Sequence, residues 1–164
     1  MRVETVRQLA GDPMTFPQLD GFPVVVVEEV SWGDMDSFQH VSNTVYFEYF
    51  QNARIEYMTR LGWFVLMKRD NLGPIVASTQ ARFRRPVYYP DRLHIGARVI
   101  AVGEDRVTFQ HCVVSERWAD VAAEGECVIV SMDYGAQKKT ALPPSVRDGI
   151  AALEGGIEKP QPQQ

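Results

Sequence analysis

The chain has 164 residues, 45% of them hydrophobic and 23% charged, and a formal net charge of -4. That length suits one domain with an ordinary core, and the acidic balance argues against a general nucleic-acid binder, whose surface is basic. No purely apolar run, that of Val24 to Val27 included, is long enough to span a membrane. The first twenty or so residues, with Gly11, Pro13, Pro17 and Gly21, read as an irregular arm. The Val-rich stretch from Phe22 to Trp32 predicts a strand. A loop rich in Gly, Asp, Ser and Asn follows, and from Thr44 the period changes. Tyr46, Phe50, Ala53, Tyr57 and Leu61 form one apolar stripe at helical spacing. Asn43 or Thr44 is placed to cap that helix, and Gly62 to end it. Arg54 and Glu56 lie along it as expected ion-paired structure.

Beyond Gly62 the text reads as a short apolar segment and a turn, then a long strand bent near Arg85 and Pro86. Leu93, Ile95, Ala97, Val99 and Ala101 alternate, as do Val107, Phe109, His111 and Val113. Gly103 and Asp105 make the turn between those strands. A last strand covers Val121 to Asp133, and a short helix is expected near Ser145 to Leu153. The segment from Glu158 to Gln164 is expected to be disordered. Short turns between consecutive strands imply antiparallel pairing, and one long helix needs an apolar sheet face to cover it. The prediction is an α+β fold: a curved antiparallel sheet around one helix. Its long edge strands favour dimerisation edge to edge. Three parts are expected: an arm over 1–21, the domain over 22–134 and an extension over 135–164.

Cys112 and Cys127 come with no metal-ligand spacing and read as buried free thiols on strands, with no metal and no cofactor expected. The N-terminal residues lack the apolar centre of a secretory leader, so the expected compartment is the cytoplasm. No Gly-x-Ser-x-Gly turn appears, which argues against a serine hydrolase.

The chemistry concentrates in the loop before the helix, where Asp34, Asp36 and His40 crowd together. A carboxylate can attack a carbonyl or take a proton from water, and a helix N-terminus offers unpaired amides to an oxyanion. An aspartate in a loop also caps turns, and from the residues alone that is the ordinary reading of Asp36. Asp34 reads as structural, bonding loop amides. His40 either orients Asp36 or packs the loop; His94 and His111 read as packing or surface histidines. Arg84 and Arg85 suit phosphate, or a solvated strand face.

The stretch "WGDMDSFQHVSNTVYFEYFQNARIEYMTRLGW", with the later "RFRRPVYYPDRLHIGARV", resembles the hotdog-fold acyl-CoA thioesterases of the 4-hydroxybenzoyl-CoA thioesterase type. The resemblance runs from about Phe22 to Tyr134. It implies a hotdog fold, a homodimer or homotetramer, no metal, and hydrolysis of a thioester on coenzyme A or a carrier protein. It marks Asp36 as the catalytic carboxylate; read from the residues, His40 is a candidate to polarise substrate or orient Asp36, and Asn43 to position water or substrate when not capping the helix. The oxyanion donors are expected among the backbone amides of residues 40–43. Gln39, Val41, Ser42 and Tyr46 are the expected substrate contacts near the loop, with Arg84 and Arg85 beyond it. The chain departs from the pattern at Gln39, where a glycine is usual, and at Ser42, where many relatives have asparagine. Two rivals share the scaffold: a dehydratase or hydratase pairing Asp36 with His40, and a non-catalytic thioester binder.

Overall fold

The computed structural model describes residues 14–156. Its elements run β1 (Val24–Glu29), α1 (Val45–Arg60), α2 (Trp63–Asp70), β2 (Leu72–Phe83), β3 (Arg92–Val102), β4 (Arg106–Ser115), β5 (Asp120–Asp133), a short β6 (Lys138–Lys139) and α3 (Pro144–Glu154). Every pairing is antiparallel, and the sheet order is β1-β3-β4-β5-β2, with β6 added at the end of β5. This is the expected architecture of one antiparallel sheet against one long helix.

The alternating residues of β3 and β4 face α1. Leu93, Ile95, Ala97 and Val99 are buried, as are Val107, Phe109, His111 and Val113. Register shifts between Val99 and Ala101, between Val113 and Val114, and between Val76 and Ser78 insert extra residues, which bend strands and increase their twist. The helix stripe read from the sequence is buried along its full length, from Tyr46 to Leu61. The Phe50 ring of α1 packs directly on Gly125 of β5. A Cβ there would lie 2.4 Å from the Phe50 ring and 2.9 Å from the Gln80 carbonyl, so no larger residue fits without a shift.

Three local expectations are corrected. The segment after Gly62 is helix α2 rather than a turn; Gly62 itself takes φ 70, ending α1 and starting the new helix. Thr44 occupies the N-cap position of α1 with helical φ and ψ and makes no side-chain cap. A capping side chain needs extended backbone to reach back over the first amides, and Thr44 lacks it. The strand β2 stops at Phe83 because the Arg84 and Arg85 amides both turn to the Ala122 carbonyl, at 2.8 and 3.1 Å.

At the other end of the chain α3 returns to the core, where Val146 and Ile150 are buried. Its Glu154 carboxylate accepts from the Tyr57 hydroxyl and from the Val99 amide, both at 2.7 Å. That amide belongs to the β3 bulge, so the helix end satisfies a donor the ladder gave up. On the opposite face of the sheet, Phe16 and Leu19 cover Cys112 and Val114. Most of the expected arm, and the tail expected to be disordered, lie outside the described residues.

The expected Arg54 ion pair is also corrected. Glu56 pairs with Arg60 at 2.9 Å, one turn along, whereas Arg54 turns inward and is 6% exposed, its Nε without a partner. Beside it His111 is wholly buried, stacked on Phe50 with ring centroids 5.1 Å apart. Neither ring nitrogen of His111 reaches hydrogen-bond geometry, although the Gly96 main chain lies near. Burial, and then the Arg54 charge, push its pKa down from 6.5 to about 3. The unfolded chain takes up this proton near 6.5 and the native chain does not. This contribution to stability is therefore complete above that pH and lost as pH falls toward 3. Replacing His111→Phe keeps a stacking ring and removes two unpartnered buried nitrogens. We expect it to raise stability by about 1–3 kcal/mol and to flatten the acid-side loss, as read from urea unfolding between pH 4 and 7.

Candidate active site

The loop between β1 and α1 is fixed by its own polar groups. Ser31 and Asp34 close a 3₁₀ turn over Trp32–Asp34 as a reciprocal capping box. The Asp34 Oδ2 accepts from the Ser31 amide at 2.9 Å and from the Tyr49 hydroxyl of α1 at 3.0 Å. Its carbonyl accepts from the Ser42 amide at 2.9 Å. Asp34 therefore ties loop to helix, as its structural reading requires. Burial and the adjacent Asp34 carboxylate push the Tyr49 phenol pKa well above its ordinary value, so it stays a donor.

Asp36 opens the next turn. Its Oδ1 accepts from the Phe38 amide at 2.8 Å, its carbonyl from the Gln39 amide at 3.0 Å, and its own amide donates to the His40 carbonyl at 3.0 Å. The turn puts Gln39 at φ 69. The position where the family pattern has glycine is left-handed in this chain, and glutamine adopts it at a cost of roughly 1–2 kcal/mol. His40 stacks on Phe38, and its Nδ1 lies 3.3 Å from the Val41 carbonyl. Val41, buried, donates its amide to the Val87 carbonyl at 2.8 Å. Of the four amides at residues 40–43, Val41 and Ser42 are therefore already engaged. Those of His40 and Asn43 have no acceptor among the described residues. The Ser42 hydroxyl lies 3.2 Å from that of Thr44, and the Asn43 side chain is exposed, just ahead of α1.

The Asp36 turn lines a cleft of about 640 Å³, within the range of small-molecule sites. Trp32, Asp36 and Gln39 form one side, and Tyr88, Tyr89 and Arg117 the other. Of the predicted site residues only Asp36 and Gln39 line it; His40, Val41, Ser42, Asn43 and Tyr46 do not, and Tyr46 is buried edge-on to Phe83 and Tyr49, with its pKa pushed up to about 12 by burial. Nor does either predicted arginine line it. Arg84 pairs with Glu124 at 2.8 Å in a separate cleft of about 400 Å³, and Arg85 pairs with Asp120 at 2.9 Å.

The second wall was missed by sequence reasoning, and one carboxylate builds it. The Asp91 Oδ1 accepts from the amides of Arg92 at 2.7 Å and Arg117 at 3.1 Å, and its Oδ2 from the Ser115 hydroxyl at 2.5 Å. Its carbonyl accepts from the Val30 amide at 2.9 Å. Asp91 thus joins the end of β1, the start of β3 and the β4–β5 turn. The Asp-Arg-Leu run that carries Asp91 was visible; its long-range partners were not. Glu28, on β1, is a second unpredicted group. Burial raises its pKa, against a hydrogen bond from Asn52 at 2.9 Å. Among the described residues no three His, Cys, Asp or Glu side chains come together as metal ligands, and no helix is long and apolar enough to cross a membrane.

The family model of the thioesterase-like superfamily matches residues 30–150, from the end of β1 into α3. The chain belongs to the thioesterase-like superfamily. It is a thioester hydrolase of the hotdog fold. It is 25% identical over 119 residues to the long-chain acyl-CoA thioesterase FadM of Escherichia coli, covering 73% of this chain and 90% of that protein. A Thermus thermophilus thioesterase, solved in complex with coenzyme A and Zn, superposes with a TM-score of 0.74 at 32% identity, over 83% of this chain and 97% of that one. A 1,4-dihydroxy-2-naphthoyl-CoA thioesterase from Synechocystis shares the fold alone, with a TM-score of 0.71 at 15% identity over 80% of this chain and 97% of that one.

The left-handed turn in this hotdog thioesterase gives a direct test. Gln39→Gly is expected to stabilise the protein by about 1 kcal/mol, the steric cost of a side chain at positive φ, measured as a raised urea midpoint with unchanged slope.

Proposed function

We propose that the protein hydrolyses acyl-CoA thioesters, with Asp36 as the reacting carboxylate and the His40 and Asn43 amides holding the oxyanion. One observation carries the reading. The Asp36 side chain lines the cleft while its Oδ1 is pinned by the Phe38 amide, which leaves Oδ2 without a hydrogen-bond partner among the described residues. A held carboxylate loses little freedom on reaching a near-attack position. Two routes use it. Oδ2 adds to the thioester carbonyl carbon, the C–S bond breaks, and the thiolate leaves; water then hydrolyses the resulting anhydride. Alternatively, Oδ2 takes a proton from water, whose oxygen attacks the same carbon; the adduct collapses with cleavage of the C–S bond, and the thiolate leaves and takes up the proton. In both routes negative charge develops on the carbonyl oxygen, where two unengaged amides beside a helix N-terminus stabilise it. The reaction needs no metal and no organic cofactor beyond the coenzyme A portion of the substrate.

Asp36→Asn tests the assignment cleanly, because asparagine keeps a side-chain oxygen for the Phe38 amide and so preserves the turn. Thiol release from a panel of acyl-CoAs is expected for the wild-type protein, with the same rate in chelator. The variant is expected to lose about 10²–10⁴-fold in kcat with an unchanged circular dichroism spectrum. Wild-type turnover by the variant would remove Asp36 from the chemistry. Hydration of an enoyl-CoA without thiol release would indicate a hydratase instead.

The same reading includes self-association through β2. Ile75 and Val76 are 41% and 47% exposed on this twelve-residue edge strand, and an open apolar edge favours pairing with a second copy. Val76→Lys is expected to shift sedimentation from dimer or tetramer toward monomer; an unchanged coefficient would assign the interface elsewhere.

A further inference from the structure

We propose that Arg117, backed by Tyr88 and facing Trp32 across the Asp36 cleft, is the subsite for the nucleotide end of a coenzyme A thioester. The inference deepens the reading above and rests on it.

Among the arginines gathered at this end of the sheet, Arg84 is held by Glu124, Arg85 by Asp120, and Arg92 lies 4.0 Å from Glu116. Arg117 has no carboxylate partner among the described residues, and it is the arginine that lines the cleft containing Asp36. Its guanidinium carbon sits 5.2 Å from the centre of the Tyr88 ring, which holds the planar group against an aromatic face and leaves its donors outward. The backbone beneath it is fixed. The Arg117 amide donates to Asp91, the Trp118 amide to the buried Ser115 hydroxyl at 3.2 Å, and the Trp118 indole to the Pro86 carbonyl at 2.8 Å. A cation mounted in this way loses little entropy on binding an anion.

The rest of the cleft fits the other half of a nucleotide. Trp32 is 73% exposed and Tyr89 46%, two flat apolar surfaces left bare, whereas Trp63 is wholly buried. A purine ring covers such faces by stacking. The chain is acidic overall, and Asp36 itself repels phosphate. Long-range attraction therefore does not draw the polyanionic end of coenzyme A to this site. A local guanidinium, offering paired donors to phosphate oxygens, is the group that does so. The cleft then has two poles: the carboxylate that meets the thioester, and the cation that meets the phosphates.

An anion at Arg117 has a second possible source, a carboxylate on the acyl group, and the test separates the two. Calorimetric titration of coenzyme A and of pantetheine, which lacks the nucleotide, is carried out on the wild-type protein, Arg117→Ala and Arg117→Lys. The wild type is expected to bind coenzyme A about tenfold or more tightly than pantetheine, as a charge-assisted phosphate contact implies. Arg117→Ala is expected to cut that margin severalfold, leaving the part due to stacking on Trp32 and Tyr89, while changing pantetheine affinity less than twofold, and Arg117→Lys to restore part of it. Equal binding of both ligands by the wild type, or an equal loss of both in Arg117→Ala, overturns the proposal. So does an Arg117→Ala defect confined to acyl groups bearing a carboxylate. Because the readout is binding, the two hypotheses fail separately. Coenzyme A held through Arg117 without thiol release from any acyl-CoA sinks the hydrolytic reading and leaves the subsite standing. Thiol release that is indifferent to Arg117 does the reverse.

Discussion

The contact on which the rest of the molecule depends is the approach of α1 to the sheet at Gly125. The Phe50 ring occupies the space a side chain on β5 would need. The helix packs chiefly on β3 and β1, and Tyr57 stands edge-on to Phe109 of β4, with centroids 5.1 Å apart. The depth of the helix in turn sets where its first turn emerges. Tyr49, one turn in, can then reach Asp34 in the preceding loop, and the Asp36 turn is carried on that anchor. Packing deep in the core thus determines the placement of a carboxylate at the surface. Interiors are close-packed, so such placement is rigid rather than averaged.

A second constraint acts from the opposite side. Asp91 collects donors from three chain segments, and the Val87 carbonyl takes the Val41 amide. The cleft therefore lies between two braced walls, one referred to α1 and one to the strand ends, tied to each other by the Val41 amide. Movement of either would change the distance between Asp36 and Arg117.

How much of this was legible in the sequence depended on the range of the interaction. Period-two burial over Leu93 to Val99 and Val107 to Val113, and the stripe from Tyr46 to Leu61, follow from local repetition, and the α+β architecture followed from them. The helix α2 was missed because Trp63 to Asp70 is apolar at one end and charged at the other, without a clear period. Arg54 looked like a surface partner because Glu56 is near in sequence, yet its own direction on the helix points inward. The turn at Asp36 was readable, and so was the oddity of Gln39; that glutamine keeps the left-handed backbone was not. Arg117 and Tyr88 carried no signal, because their meeting depends on Asp91, which is far from Arg117 along the chain. Arg84 and Arg85, the more conspicuous cations, are already neutralised by acids on β5 that sequence spacing does not reveal.

The open edge of β2 has a thermodynamic consequence for the whole molecule. If a second copy pairs along it, as proposed above, that copy binds the folded chain and not the unfolded one, and by mass action the melting temperature would rise with protein concentration. Dilution would then weaken the fold itself, the α1 packing and the two braced walls included, and two preparations differing only in micromolar content would report different stabilities.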